Sequence, residues 1–315
     1  MKVDVEAVDG SVTTLEKITE LSFSQSSDAA CDSLYVYFKA ERELGEIVAV
    51  RAYEGKKKIF NGLCDCQRTS IGKDGFEIYI YARSSASLLI DNQAEPYTYC
   101  APSAKQLCLS CAQPLGFTCK LPNIYTGEKY QVAQGVSCYG AINQFVYFCT
   151  GYNITVTPDN EICLPQLSKN CKSLNEYKIL SLKSIINRSE PITQINFKKS
   201  LSSNGYGFHT KAQYADTVKI NKSQYVNLAS FADWQRDYTV LQKLKKSYDS
   251  YKLIEAVVSG FANERLFQRF SYSSQEAEYN DYALVEKRYI CDSRGKRTRL
   301  TLRKIIDVKE NTYVD

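Results

Sequence analysis

Two stretches constrain this chain more than any others. In Leu34-Tyr35-Val36-Tyr37-Phe38 and Phe76-Glu77-Ile78-Tyr79-Ile80-Tyr81-Ala82, apolar residues alternate with residues that are mostly tyrosine. A period of two belongs to a β-strand, whose successive side chains point to opposite faces. A strand with one face on a core and the other in water carries polar residues outside. Here both faces are apolar or aromatic, so the tyrosine face calls for a neighbour of its own.

The segments around these two follow the same habit. Residues 15–24, 34–39, 46–53, 58–67 and 76–82 read as short strands, separated by Glu43-Leu44-Gly45, Glu54-Gly55-Lys56 and Gly72-Lys73-Asp74-Gly75. They predict a meander that closes into a small β-barrel over residues 1–83. The period then changes. Over residues 102–113, Ala104, Leu107, Cys108 and Cys111 fall on one helical face, with Pro102 in the first turn and Pro114 as the stop. A second helix is capped by Ser137, buries Ile142, Phe145, Val146 and Cys149, and ends at Gly151. A hairpin turning on Pro158-Asp159-Asn160 follows, so residues 84–175 form an α/β module.

From about Lys178 strands return, including 191–199, 206–214, 215–221, 253–258, 265–272, 283–291 and 297–308. A helical insertion at about 228–248 interrupts them, with Phe231, Trp234, Tyr238, Leu241 and Leu244 as its apolar stripe. Residues 176–315 are thus expected to be a second small barrel. The fold class is mainly β with an α+β insert: two small β-barrel domains flanking an α/β module. Two β units of similar length leave room for an old duplication, which the residues themselves do not demonstrate.

With 315 residues the chain has ample mass for two or three domains. Its opening, MKVDVEAVDGSVTTLEK, lacks the apolar stretch of a signal peptide, so the 12 cysteines are expected to be reduced. No stretch reaches the roughly 18 consecutive apolar residues of a spanning helix, and no membrane anchor is expected. The net charge of +5 is mild for a nucleic-acid binder. Charge gathers only in Lys287, Arg288, Arg294, Lys296, Arg297, Arg299, Arg303 and Lys304. A phosphate-binding hairpin or a guarded strand edge would both use them. The 24 tyrosines, against one tryptophan and one methionine, suit surfaces that become buried on assembly.

Residues capable of chemistry are sparse. The single histidine, His209, has no HExxH motif or acidic partner around it, which favours a structural or interface role. Cys100, Cys108, Cys111 and Cys119 could hold a structural zinc as four thiolates. Yet Cys108 and Cys111 share the stripe of Ala104 and Leu107, where free cysteine packs as a small apolar residue. No phosphate loop, nucleophile elbow or paired catalytic carboxylates appear, and no cofactor is expected.

The runs Phe60-Asn61-Gly62-Leu63, Ala82-Arg83-Ser84 and Leu88-Leu89-Ile90-Asp91-Asn92-Gln93-Ala94 resemble the signature of phage tail baseplate hub proteins. That group includes late control protein D and the hubs of Mu-like and Bacillus prophages. Gly135-Val136-Ser137-Cys138-Tyr139 and the turn at Pro158-Asp159-Asn160 extend the resemblance, which covers residues 57–165. Departures are Ala82 and Asn160, where the family usually has glycine, and Tyr139, where it often has tryptophan.

The resemblance implies a non-catalytic homotrimer in which three chains present six barrels. Such a ring joins a six-fold tail tube to a three-fold spike in a contractile tail or a phage-tail-like bacteriocin particle. The implied partners are the tube and central spike proteins, other baseplate proteins of the tube-initiator and wedge kinds, and the tape measure protein. Tyr35, Tyr37, Tyr79, Tyr81, Arg297 and Arg299 are the candidate interface residues. A hub that also hydrolyses cell wall and a free nucleic-acid-binding β protein are the alternatives.

Overall fold

The computed structural model describes residues 1–73, 75–200, 205–212, 214–229 and 233–305, without the side chains of 233–235 and 238. The chain opens with β1 (Lys2–Ala7), β2 (Val12–Thr14), β3 (Ile18–Ser26), β4 (Ser33–Ala40), β5 (Ile47–Glu54), β6 (Lys57–Gly72) and β7 (Gly75–Ser84). Next come α1 (Ser87–Asp91), β8 (Tyr97–Cys100), α2 (Ala104–Cys111), β9 (Thr118–Cys119), β10 (Lys129–Val132), α3 (Cys138–Thr150), β11 (Thr155–Val156) and β12 (Glu161–Cys163). Then follow β13 (Cys171–Ser173), β14 (Ile179–Ile186), β15 (Gln194–Lys198), β16 (Phe208–Lys211), α4 (Ala215–Val218), β17 (Ser223–Asn227) and α5 (Asp233–Asp249). The last strands are β18 (Lys252–Ser259), β19 (Arg269–Ser273), β20 (Glu278–Asp292) and β21 (Gly295–Lys304).

The architecture is mainly β with an α+β insert. Strands from both ends of the chain belong to one thirteen-stranded sheet, ordered β14-β18-β21-β20-β3-β4-β7-β6-β5-β1-β2, with β19 and β13 branching from β20. Ladder hydrogen bonds among the described residues do not close this path into separate barrels. The physical reason is edge use: β3 spends its free edge on β20, from Ser26 opposite Glu286 to Leu21 opposite Cys291.

The two ends repeat one plan. Tyr37 opposite Tyr79 recurs as Val257 opposite Arg299, Ala49 opposite Leu63 as Arg269 opposite Ala283, and Gly72 opposite Gly75 as Asp292 opposite Gly295. Every partner has moved on by 220 residues (257 less 37, 299 less 79). The bulge of β6 between Cys64 and Cys66 recurs in β20 between Leu284 and Glu286. The irregularity of β3 at Ile18 and Glu20 recurs in β14 at Ile179 and Ser181. Yet between residues 33–84 and 253–304 the identical pairs are only Arg68 and Arg288, Gly75 and Gly295, Arg83 and Arg303. Gly75 and Gly295 both hold positive φ (108° and 98°) beside the hairpin turn, a conformation open to glycine.

Separate apolar clusters hold the parts together. Phe23, Leu34, Val36, Phe60, Ile78 and Ile80 fill the interior under β3 to β7. Leu89, Leu107, Tyr130, Ile142 and Phe145 fill the insert. Ile195, Phe197, Val240, Leu244 and Tyr248 join α5 to the small sheet β16-β15-β17, and Ile254, Phe270, Leu284, Leu300 and Leu302 lie under β18 to β21.

Several local expectations change. Residues 87–91 form a short helix after β7. Pro102 precedes α2 because Ser103 is its N-cap, accepting from the Gln106 amide while the Gln106 side chain accepts from the Ser103 amide at 2.7 Å. Cys149 is exposed rather than buried, since Phe148, three residues after Phe145, packs against the core in the last turn of α3. The strand expected over 215–221 contains α4, whose Ala215 and Val218 are buried three residues apart before Lys219 turns left-handed at φ 50°. The buried stripe of α5 runs through Val240, Leu244 and Tyr248, leaving Leu241 half-buried. Phe231 and residues 306–308 lie outside the described residues, as do the side chains of Trp234 and Tyr238.

Candidate interaction face

The alternation in β4 and β7 decides which side chains meet the core. Leu34, Val36, Phe38, Ile78, Ile80 and Ala82 are fully buried on the inner face. Tyr35, Tyr37, Tyr79 and Tyr81 lie half-buried on the outer face, with Tyr35 opposite Tyr81 and Tyr37 opposite Tyr79. The Tyr35 and Tyr79 rings pack edge to face with centroids 4.7 Å apart, and the Arg68 guanidinium lies 5.4 Å from the Tyr79 ring centre. A hydrogen bond to Glu77 holds the Tyr37 hydroxyl above its ordinary pKa. Partial burial does the same for Tyr35. Tyr35 and Tyr37 therefore hold their protons more tightly than a free phenol does.

Arg297 and Arg299 stand on the same face. Tyr81, Tyr35, Ser22, Ile290 and Arg297 are successive cross-strand partners along one row. At 4.7–4.9 Å per strand, Tyr35 and Arg297 are about 14 Å apart. The structure thus joins two sets of candidates, far apart in sequence, into one surface that is aromatic at one end and cationic at the other. Arg288 ties the halves together, its Nε donating to the Ser22 hydroxyl at 3.0 Å.

Much of the positive charge near this face is already engaged. Arg297 donates to both carboxylate oxygens of Asp292 at 2.8 Å, which holds the Asp292 carboxyl far below the usual range. Arg303 pairs with Asp28 at 2.8 Å and Asp249 at 3.2 Å. Lys287 turns inward and is buried, its ammonium donating to the Glu264 carbonyl at 2.8 Å and facing the Phe261 ring at 5.3 Å. Arg299 remains exposed.

The residues that carry the family resemblance meet at the base of β7. Arg83 donates to Asp65 at 2.5 and 3.1 Å and to Asp91 at 2.7 and 3.1 Å, pinning α1 to the bulge of β6. Gly62 is required here because a Cβ would lie 2.1 Å from the Arg83 carbonyl oxygen. Asn160, left-handed at φ 60°, accepts from the Ser85 hydroxyl at 2.6 Å and the Asn61 amide at 3.3 Å. The hairpin of the insert is therefore locked to the first strand layer. Sequence reasoning found these residues through the resemblance without showing that Arg83 and Asp91 touch.

The remaining candidates disperse. Cys108 and Cys111 are buried on α2, Cys119 is half-buried, and Cys100 is exposed. Cys108 lies in hydrogen-bonding contact with Cys119, and Cys111 with Cys138. Burial pushes the Cys111 thiol up to about 11 and Cys108 higher still. Among the described residues no group of three His, Cys, Asp or Glu side chains could hold a metal ion. His209 is exposed on β16 opposite Asn196. No helix among the described residues is long and apolar enough to cross a membrane.

No family model matches the sequence, and no curated protein matches it. Solved structures do match the fold. The 43 kDa tail protein of prophage MuSo2 from Shewanella oneidensis aligns with a TM-score of 0.79 at 11% identity, over 96% of this chain and 98% of that one. A tail protein from Neisseria meningitidis MC58 aligns at 0.74 and 14% identity, over 96% of each chain. An Escherichia coli component of the type VI secretion system, described as structurally similar to T4 bacteriophage tail proteins, aligns at 0.62 and 7% identity over all of this chain and 80% of that one. In its fold, mainly β with an α+β insert, this chain is similar to prophage tail proteins.

Proposed function

We propose that this protein is a structural hub subunit of a contractile phage tail or phage-tail-like particle, with no chemistry of its own. Three copies form a ring that joins a six-fold tail tube to a three-fold spike. The observation that carries this reading is the repeated strand plan: each chain sets two equivalent units side by side in one sheet. Three chains then offer six equivalent units while keeping three-fold symmetry. The fold likeness to prophage tail proteins supports the setting. In this reading residues 1–83 and 176–315 are the two tube-type units and residues 84–175 buttress them. Tyr35, Tyr37, Tyr79, Tyr81, Arg297 and Arg299 contact neighbouring tail proteins, chiefly tube and spike.

Size-exclusion chromatography with light scattering, on the protein alone and mixed with its tube and spike proteins, tests the reading. A trimer is expected. A monomer that shifts with an oligonucleotide but never with tail proteins would sink it in favour of nucleic-acid binding, and clearing of purified cell wall by the pure protein would favour a hydrolase.

A further inference from the structure

The small sheet β16-β15-β17, apart from the long one, carries an exposed aromatic face. Alternation along β15 sends Ile195 and Phe197 into the core shared with α5 and leaves Asn196 and Lys198 on the outer face. His209 of β16 and Tyr225 of β17 stand opposite Asn196 on either side, so the three form one row about 10 Å long. The Tyr206 ring meets that of Tyr225 edge to face, with centroids 5.2 Å apart. Tyr206 is 42% exposed and Tyr225 67%. Gly205 and Gly207 flank Tyr206 and carry no side chain to cover it.

The charge around this face is one-sided. No Asp or Glu occurs in the three strands, and residues 188–228 hold six Lys or Arg against Glu190 and Asp216. Asp216 is taken by Lys211 at 2.8 Å. Among the described residues no carboxylate pairs with Lys198 or Lys199. Their ammonium groups lie 5.9 Å from the Tyr206 ring centre and 4.2 Å from that of Phe208, respectively. Polar groups are also left over. Asn196 is only 9% exposed, and its Oδ1 accepts from the Gln194 side-chain amide at 2.7 Å. Its amide nitrogen, the His209 ring nitrogens and the Tyr206 and Tyr225 hydroxyls have no hydrogen-bond partner among the described residues.

We infer that this face binds single-stranded nucleic acid, with Tyr206 and Tyr225 stacking on bases, Lys198 and Lys199 meeting phosphates, and Asn196 and His209 bonding to base edges. A flexible polymer that offers a planar ring and a negative charge at every unit matches tyrosines interleaved with lysines. A neutral glycan would leave the lysines without a counter-charge. A duplex keeps its bases stacked on one another, out of reach of the tyrosines. Every base has a π-face, so binding of this kind tolerates any sequence. The site uses none of the residues assigned above to tail partners and does not rest on the hub reading.

Fluorescence anisotropy of a labelled oligothymidylate with the full chain tests the site. Saturable binding is expected at low salt, weaker as salt rises, and competed by single strands of other sequence better than by duplex. Tyr225→Ala is expected to weaken binding by about tenfold or more, and Tyr225→Phe, which keeps the ring, to retain it. Lys198→Gln with Lys199→Gln should lower the salt slope by about 1. Tyr225 is exposed, so its variants are expected to fold, which circular dichroism checks. Arg299→Gln, on the basic hairpin of β20 and β21, should bind as the native chain does. Absence of binding at low salt, binding that Tyr225→Ala leaves unchanged, or binding that Arg299→Gln removes overturns the inference. So does a neutral oligosaccharide that binds through Tyr225 where the oligonucleotide does not. Tyr225→Ala should leave self-association and co-elution with tail partners unchanged, so the hub reading stands or falls separately.

Discussion

Arg83 reaches Asp91 across the exit from β7, and the same guanidinium holds Asp65 in the bulge of β6. Asp91 is half in solvent, so its share is small, while the partly buried Asp65 contact is stronger. We expect a double-mutant cycle of Arg83→Met with Asp65→Asn to give a coupling of about 1 kcal/mol, and with Asp91→Asn about half of that, read from urea denaturation. Arg83→Lys should recover little, because an ammonium cannot serve two carboxylates with a planar fork. The hydrogen bond from Arg83 depresses the Asp91 pKa. Its stabilisation is therefore present above pH 3.8 and fades as pH falls below that.

Gly62→Ala should be among the most damaging single-methyl changes in the chain. The new Cβ meets backbone, the Arg83 carbonyl at 2.1 Å, and cannot be relieved by a side-chain rotation. A loss of about 3 kcal/mol or more, or failure to accumulate folded protein, is expected in thermal melts. Gly127→Ala, where a Cβ would meet nothing within 4 Å, should change stability little.

Lys287 gives the junction between the two units a pH signature. Burial pulls its pKa down from 10.5 to about 8. Between those values the unfolded chain binds a proton that the folded chain does not, so this lysine makes stability rise with pH from about 8 to 10.5. Asp32, raised by burial from 3.8 to about 6, has the opposite slope: its contribution is complete below 3.8 and lost as pH climbs through 6. Chemical denaturation across pH, comparing the native chain with Lys287→Met and Asp32→Asn, should show each slope flatten in its own window. Unchanged slopes would refute the assignment.

The outer tyrosines should separate stability from assembly. Tyr35→Ser with Tyr79→Ser removes one edge-to-face ring contact on a half-buried surface, a cost of about 0.5–1.5 kcal/mol beyond lost burial. The variant is expected to fold yet fail to co-elute with tail partners. Retained co-elution would show that this face is not used.

Thiol reactivity follows burial. Cys100 and Cys171 are exposed and should label quickly in native protein at pH 8, whereas Cys108 and Cys111 should label only after unfolding. Fast native labelling of Cys111 would contradict its place in the core of the insert.

The sequence alone determined part of the local structure. Alternation placed β4, β5 and β7 to within a residue or two at either end and identified Tyr35, Tyr37, Tyr79 and Tyr81 as a second face, because a strand's period is a property of the backbone. It also fixed the capped start of α3 at Ser137 and its stop at Gly151, where φ is 73°. It mistook residues 215–221 for a strand, since α4 is too short to show a helical period.

Only the tertiary structure decided what lies beside what. That β3 pairs with β20, that Arg297 shares a face with Tyr35, and that the two ends repeat one register are facts of long-range hydrogen bonding. Backbone pairing needs a pleated edge and a compatible face, and it leaves most side-chain identities free. Two units could therefore keep the same ladder while retaining only Arg68, Gly75 and Arg83 in common with Arg288, Gly295 and Arg303.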